Sequence, residues 1–200
     1  YPLIIKVASL PNSRLQVYFL DNEDFFKRKQ VFEEADGIPF EDNADRAAFF
    51  CKGAIETVKK FGWAPDIVLC CGWMTSLIPF YLRTAYKTEP IFINSQLVYS
   101  VFPSQHERIG SERFFQKAAI NNLSAKDLDA YRDGDNLSMH KGAIEFSDGV
   151  IIGSESVDTS VDYLMSAAQD KPVLHWNGEE TMLADHLEFF RTLTEAEVPQ

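Results

Sequence analysis

The sequence predicts an α/β fold, a Rossmann-like three-layer domain with a mainly parallel sheet and an N-terminal β-hairpin. Three observations carry that expectation. From Leu137 onward, short β-rich runs alternate with amphipathic helical patterns, the signature of βαβ units and a parallel sheet. Earlier, the stretch Trp63 to Arg83 reads as a buried strand over 66–71 that turns sharply at Gly72 into a helix over 73–86. A chain of 200 residues, 46% hydrophobic and 24% charged, can bury one sizeable core, so 1–200 reads as a single domain.

Taken in order, 3–10 and 15–20 are β-rich runs joined by Pro11, Asn12, Ser13 and Arg14, residues that suit a hairpin turn. Asp21 to Asp24 breaks the second run, and 35–39 is a loop. A helix follows, with Asp42 or Asn43 as its cap and Gly62 closing it. Ala47, Phe50, Cys51, Ala54, Val58 and Phe61 recur at helical spacing and make its apolar stripe. Glu56 and Lys60, one turn apart, stand in the order that favours a weak ion pair. After the strand–turn–helix at 66–86, residues 96–102 read as another buried strand and 103–110 as an irregular polar loop.

Short helices are expected over 111–119 and 124–131, the second opened by a capping box of Ser124 and Asp127, with a turn at 132–136. The alternation then runs helix 137–146, strand 150–153, helix 157–168, strand 173–174 and a last helix to about Leu193. Asn177 and Glu180 make a capping box for that last helix.

Composition excludes several function classes. Acidic residues outnumber basic ones 30 to 19, a net charge of −11, and no basic stripe offsets it, which argues against nucleic acid as a partner. No apolar run approaches the roughly 20 residues a membrane span needs. The first residues look like a strand rather than a signal peptide, so the chain reads as starting in mid-fold. Three cysteines without a repeating spacing fit a reducing compartment, with the cytoplasm as the default.

Ligands of open parallel sheets bind beyond the carboxyl ends of the strands. The turn Cys70, Cys71, Gly72 and Trp73 is therefore the first place to look, and Ser154 and Glu155 share the same sheet edge. Trp73 has two readings: a flat ring on which a sugar could sit, or, in better keeping with the first turn of a buried helix, a core residue. Asp42, Asn43 and Arg46 could contact a substrate or simply cap and pair on their helix, and Asp66 could do either at its strand start. Cys70 and Cys71 alternate across the strand end, one packing under each sheet face. With no histidine beside them in sequence, neither reads as a nucleophile. The histidines at 106, 140, 175 and 186 are scattered, and no metal site or cofactor is expected.

A set of short motifs runs through the chain in order. Phe19 to Asp21, Phe25 to Arg28, Asp36-Gly37 and Glu41 to Asn43 lead to Arg46, Ala47 and Phe49. Trp63, Pro65, Asp66, Ile67 and Val68 precede Gly72 to Pro79. Val98 to Val101, Lys141 to Ile144, Ser147-Asp148, Val150 and Gly153-Ser154 complete the set, which spans roughly 15–155. Together they resemble the N-terminal domain of bacterial glycogen and starch synthases, and the short chain looks closest to single-domain relatives of these enzymes. The resemblance implies one half of a GT-B glycosyltransferase that moves glucose from ADP-glucose to an α-1,4-glucan. In that family the N-terminal half faces the glucan acceptor, and the C-terminal half holds most contacts to the nucleotide sugar.

The same comparison exposes departures. Where the family has His-x-His-Asp-Trp, this chain has Leu69, Cys70, Cys71, Gly72 and Trp73, so cysteine stands at the active-site histidine and glycine at the aspartate. A second family His-Asn pair falls at Phe102 and Pro103, and nothing here matches the Lys-x-Gly-Gly-Leu phosphate loop. The candidate substrate-binding residues are therefore Trp73, Gly72, Asp42, Asn43, Ser154 and Glu155; by resemblance Cys71 stands at the histidine position, and no catalytic residue is assigned. Two functions follow as expectations. One is the acceptor-side half of a glucosyltransferase, inactive without a donor domain supplied by another part of the chain or by another protein. The other is a non-catalytic relative that binds α-glucan or another protein.

Overall fold

The computed structural model describes residues 2–104, 112–134, 136–157 and 166–195. Strands β1 (Ile4–Ser9) and β2 (Gln16–Asp21) form an antiparallel hairpin separate from the main sheet. A one-turn helix, α1 (Glu23–Phe26), is capped by Asn22, whose Oδ1 accepts the Phe25 N–H at 3.0 Å. The long helix α2 (Asn43–Phe61) ends as expected at Gly62, whose left-handed φ of 69° lets its N–H reach the Lys59 and Val58 carbonyls. Gly53 lets the hairpin lie against α2, since a Cβ there would stand 2.8 Å from Leu20.

The main sheet has four parallel strands in the order β3 (Ile67–Cys71), β4 (Gln96–Val101), β7 (Gly149–Ile152), β8 (Val173–Leu174). The intervening β5 (Arg132–Asp133) and β6 (Asn136–Leu137) make a small antiparallel pair of their own. Registers align Cys70 with Tyr99 and Tyr99 with Val150, so one side chain from each strand faces the same helical layer. That layer comprises α2, α3 (Leu77–Arg83), α4 (Glu112–Ala118), a 3₁₀ turn at Ala125–Tyr131, and α5 (Met139–Glu145). The opposite face carries the last helix, α6 (Met182–Glu195), which packs Leu193 and Phe189 against Gly149.

Buried hydroxyls tie this layer together. Tyr131 donates to the Ser76 carbonyl and Tyr81 to the Ala118 carbonyl, each at 2.9 Å, and the Tyr99 hydroxyl meets His140 Nδ1 at 2.7 Å. Asp148 joins the start of β7 to β4 by accepting the Leu97 N–H at 2.7 Å.

Several local expectations change. The helix expected over 73–86 splits into a 3₁₀ turn, Trp73–Thr75, and α3; Pro79 sits in the first turn of α3, where a missing N–H costs nothing. Phe61 leaves the α2 stripe and is 46% exposed against Tyr18, while Ile55 is buried in its place. Glu56 accepts the Tyr86 hydroxyl at 2.6 Å and lies 3.8 Å from Lys59, the neighbour of the lysine expected to pair with it. The Ser124–Asp127 box forms, but it opens a 3₁₀ turn. The last helix begins at Met182, not at a cap on Asn177, because Gly178 has φ of 100°, which no helix can contain. Most of the expected helix 157–168 (158–165), most of the loop 103–110 and Ser111 lie outside the described residues.

Candidate functional site

β3 ends at Cys71, and the Gly72 N–H extends the ladder by donating to the Ser100 carbonyl at 3.0 Å. Gly72 then adopts φ 73° and ψ 173°, a region open almost only to glycine. The chain swings into the Trp73–Thr75 turn, whose Thr75 N–H and Oγ1 both donate to the Gly72 carbonyl, at 3.1 and 2.9 Å. Trp73 is 3% exposed and lies edge-on to Phe32 at 5.0 Å between ring centroids, so it is a core residue with little ring surface open.

The two strand-end thiols face opposite ways. Cys70 is buried against the helical layer, and burial pushes its thiol well above the ordinary value. Cys71, expected to pack under the other face, is exposed there. Among the described residues that face is thinly covered, and its neighbour Leu69 is 42% exposed. Surrounding protein nevertheless raises the Cys71 thiol, which disfavours the thiolate a nucleophile needs.

In front of this turn lies an inner cleft of about 240 Å³, whose walls include Cys71, Gly72, Trp73, Phe32 and Phe102. Among its described lining residues, Cys71 is the one titratable side chain. Phe102 and Pro103 also wall a wider, shallower cleft of about 640 Å³, which continues across the ends of β7 and β8. Its polar lining is Ser154, Glu155 and Ser156 after β7 and Glu179 after β8, with Trp176 as its second aromatic. Gly153 makes this wall possible: a Cβ there would stand 2.6 Å from Phe102 Cζ, so the ring rests on bare backbone. Both carboxylates are exposed, and no lysine or arginine lines the wider cleft among the described residues.

The structure thus brings Cys71, Gly72, Trp73, Ser154 and Glu155 to one rim, linked by Phe102. Asp42 and Asn43 are placed differently. Asp42 makes a two-pronged ion pair with Arg28 at 2.8 and 2.6 Å instead of capping α2 through its side chain. Asn43, buried at 1% exposure, donates to the Phe32 carbonyl and accepts from Arg46. Arg46 in turn donates to the Phe25 carbonyl at 2.9 Å and lies over the Phe26 and Phe40 rings. Sequence reasoning missed Trp176 and Glu179. Their signal was positional: they follow the next strand of the same parallel sheet. Among the described residues, no three His, Cys, Asp or Glu side chains group as metal ligands would, and no helix is long and apolar enough to cross a membrane.

A parallel sheet whose strand ends open onto a cleft is a Rossmann-like arrangement, in which ligands bind beyond the carboxyl ends of the strands. The solved catalytic domain of starch synthase IV from Arabidopsis thaliana, bound to ADP and acarbose, matches this fold with a TM-score of 0.66 at 18% identity, over 90% of this chain and 38% of that one. Residues 2–165 match the family model of the starch synthase catalytic domain, and the chain belongs to that family. Glycogen synthase of Chlorobium limicola is 35% identical over 147 residues, 73% of this chain and 29% of the relative. That of Chlorobaculum tepidum is 30% identical over 183 residues, 91% of this chain and 36% of the relative. The chain therefore spans about a third of the length of these relatives.

Proposed function

We propose that this domain is the acceptor-side half of a retaining glucosyltransferase of the glycogen and starch synthase type, holding an α-1,4-glucan at the strand-end rim without transferring glucose by itself. The observation that carries this reading is the lining of the inner cleft. Two of the three positions where the resembled family carries histidine, Cys71 and Phe102, meet there, and no other titratable group accompanies them among the described lining residues. Retaining transfer from ADP-glucose builds positive charge at the anomeric carbon while a diphosphate leaves. Donors aimed at the negative charge growing on that diphosphate, and at the sugar hydroxyls they orient, supply much of the acceleration. A thiol held in its neutral form is a weak hydrogen-bond donor and a poor substitute for imidazole.

Cationic groups for the leaving diphosphate would come from a donor-binding domain, in the same polypeptide or on a partner. The three free cysteines suit a reducing compartment such as the cytoplasm. A non-catalytic role as a glucan-binding or protein-contact module is the second reading, favoured by the same loss of imidazole.

The test is incorporation of labelled glucose from ADP-glucose into glycogen by the purified chain. No incorporation is expected, from the natural sequence or from Cys71→His. Clear transfer by either protein overturns the reading of the inner cleft. Maltoheptaose should raise the melting temperature; if it does not, the glucan-binding part of the proposal falls and protein contact remains.

A further inference from the structure

The geometry points to a saccharide subsite in the wider cleft, built on Trp176 and Phe102 with Glu155 and Glu179 as hydroxyl acceptors, that takes a neutral sugar and rejects phosphorylated ones. This deepens the proposal above and rests on it for the identity of the sugar as an α-glucan.

Four features lead there. The volume, about 640 Å³, lies within the range of small-ligand sites and suits one or two pyranose rings. A pyranose offers flat C–H patches and a rim of hydroxyls, so it needs apolar ring surface beside hydrogen-bond acceptors. Phe102, 39% exposed, and the partly exposed Trp176 supply the first. Glu155, Glu179 and Ser154 supply the second, since an ionised carboxylate accepts up to two hydroxyls on each oxygen. Charge then decides the class of ligand. Two carboxylates with no lysine or arginine on the described lining, in a chain of net charge −11, repel a phosphate or diphosphate and leave a polyol unaffected.

The wall that carries Trp176 and Glu179 lies beyond residues 2–165, the part matched by the starch synthase family model. The local backbone explains how it reaches the cleft. β8 ends at Leu174, Gly178 turns with φ of 100°, and α6 starts only at Met182. Residues 175–181 are thereby held at the strand ends instead of being wound into the helix.

The experiment is calorimetric titration of the full chain with maltoheptaose, with cellohexaose and xylohexaose in parallel, on the natural sequence and on Trp176→Ala, Trp176→Phe, Glu179→Gln and Trp63→Phe. Trp176→Ala should weaken maltoheptaose binding about tenfold, Trp176→Phe less, and Glu179→Gln about threefold. Trp63→Phe, remote from the cleft, should bind as the natural chain does, and neither ADP nor inorganic phosphate should displace the sugar. Trp176 is only half-buried, and unchanged far-ultraviolet dichroism would show that its variants fold. If maltoheptaose binds with equal affinity to Trp176→Ala and Glu179→Gln, the subsite is wrong while glucan binding stands. If only cellohexaose or xylohexaose binds, in a Trp176-dependent way, the subsite stands and the α-glucan reading falls. If none of the three binds, the subsite is overturned.

Discussion

The start of α2 and the carboxyl rim of the sheet both gather polar side chains and use them in opposite ways. At α2, Arg28, Asp42, Asn43 and Arg46 direct their polar atoms at one another and at the Phe25 and Phe32 carbonyls. At the rim, Glu155 and Glu179 are exposed beside an open cleft. The first arrangement is a clasp that fixes the segment 25–43 on the helix. The second leaves acceptors facing a volume that a ligand could fill. Density of polar side chains is thus a poor guide to a site. Polar atoms that border open volume are a better one.

The largest effect that would break this contrast is at Arg46. Arg46→Met should lower stability by about 3 kcal/mol, because it strands the Asn43 amide oxygen and the Phe25 carbonyl in a buried setting. Maltoheptaose affinity, measured well below the melting temperature, should not change. A tenfold loss of affinity with normal stability would mean that the clasp belongs to the site.

Gly72→Asp, which restores the residue the family resemblance expects, should cost about 2 kcal/mol in urea unfolding. Its φ of 73° and ψ of 173° lie where side-chain-bearing residues are strained. An unchanged midpoint would show that the turn can relax toward the family's backbone, and with it that the inner cleft is less fixed than described.

Alkali should act on the two buried thiols, Cys51 of α2 and Cys70 of β3. Burial pushes Cys51 up to about 12, and Cys70 moves in the same direction. Both groups have folded values above an unfolded value near 9.0, so their contribution is fully present below about pH 9 and fades as pH rises toward the folded values. Each buried thiol should cost the fold about 1.4 kcal/mol by about pH 10, and Cys51→Ala should remove its share of that slope. Under native conditions near neutral pH, a thiol reagent should label Cys71 alone; labelling of all three without denaturant would contradict the burial of the other two.

Much of the fold was legible because periodicity reports burial. The alternation after Leu137 and the stretch 63–83 gave the parallel strands β3, β7 and β8 within a residue or two. What stayed hidden was set by tertiary context. Phe61 fits the α2 stripe but sits at its end, where it packs against Tyr18 of the hairpin and stays 46% exposed. Asn177 and Glu180 have the spacing of a capping box, and the positive φ of Gly178 overrides it. The rim was legible in outline, since the strand-end rule pointed to Gly72 and Ser154 together. Trp176 and Glu179 carry no motif, and only the position of β8 beside β7 reveals them. The partners of Asp42 and Asn43 stayed hidden, because sequence does not show that Arg28, 14 residues away, engages the first of them.

The smallest expected change in stability separates rim from clasp most sharply. Gly153→Ala places a Cβ 2.6 Å from the end of the Phe102 ring and 2.8 Å from Ser100 Oγ. Buried backbone would make such a clash costly, but Phe102 is 39% exposed and can swing outward, so the loss should be about 1 kcal/mol, the low end for overpacking. The ring is also the wall shared by the two clefts, so its displacement should act on ligands more than on folding. Maltoheptaose affinity should fall several-fold while the urea midpoint drops by about half as much as in Gly72→Asp. Phe102→Ala, which removes the ring without a clash, should match that affinity loss. If Gly153→Ala unfolds the chain, or if it weakens binding where Phe102→Ala does not, the rim is held by packing as rigid as that at α2, and the distinction between clasp and cleft disappears.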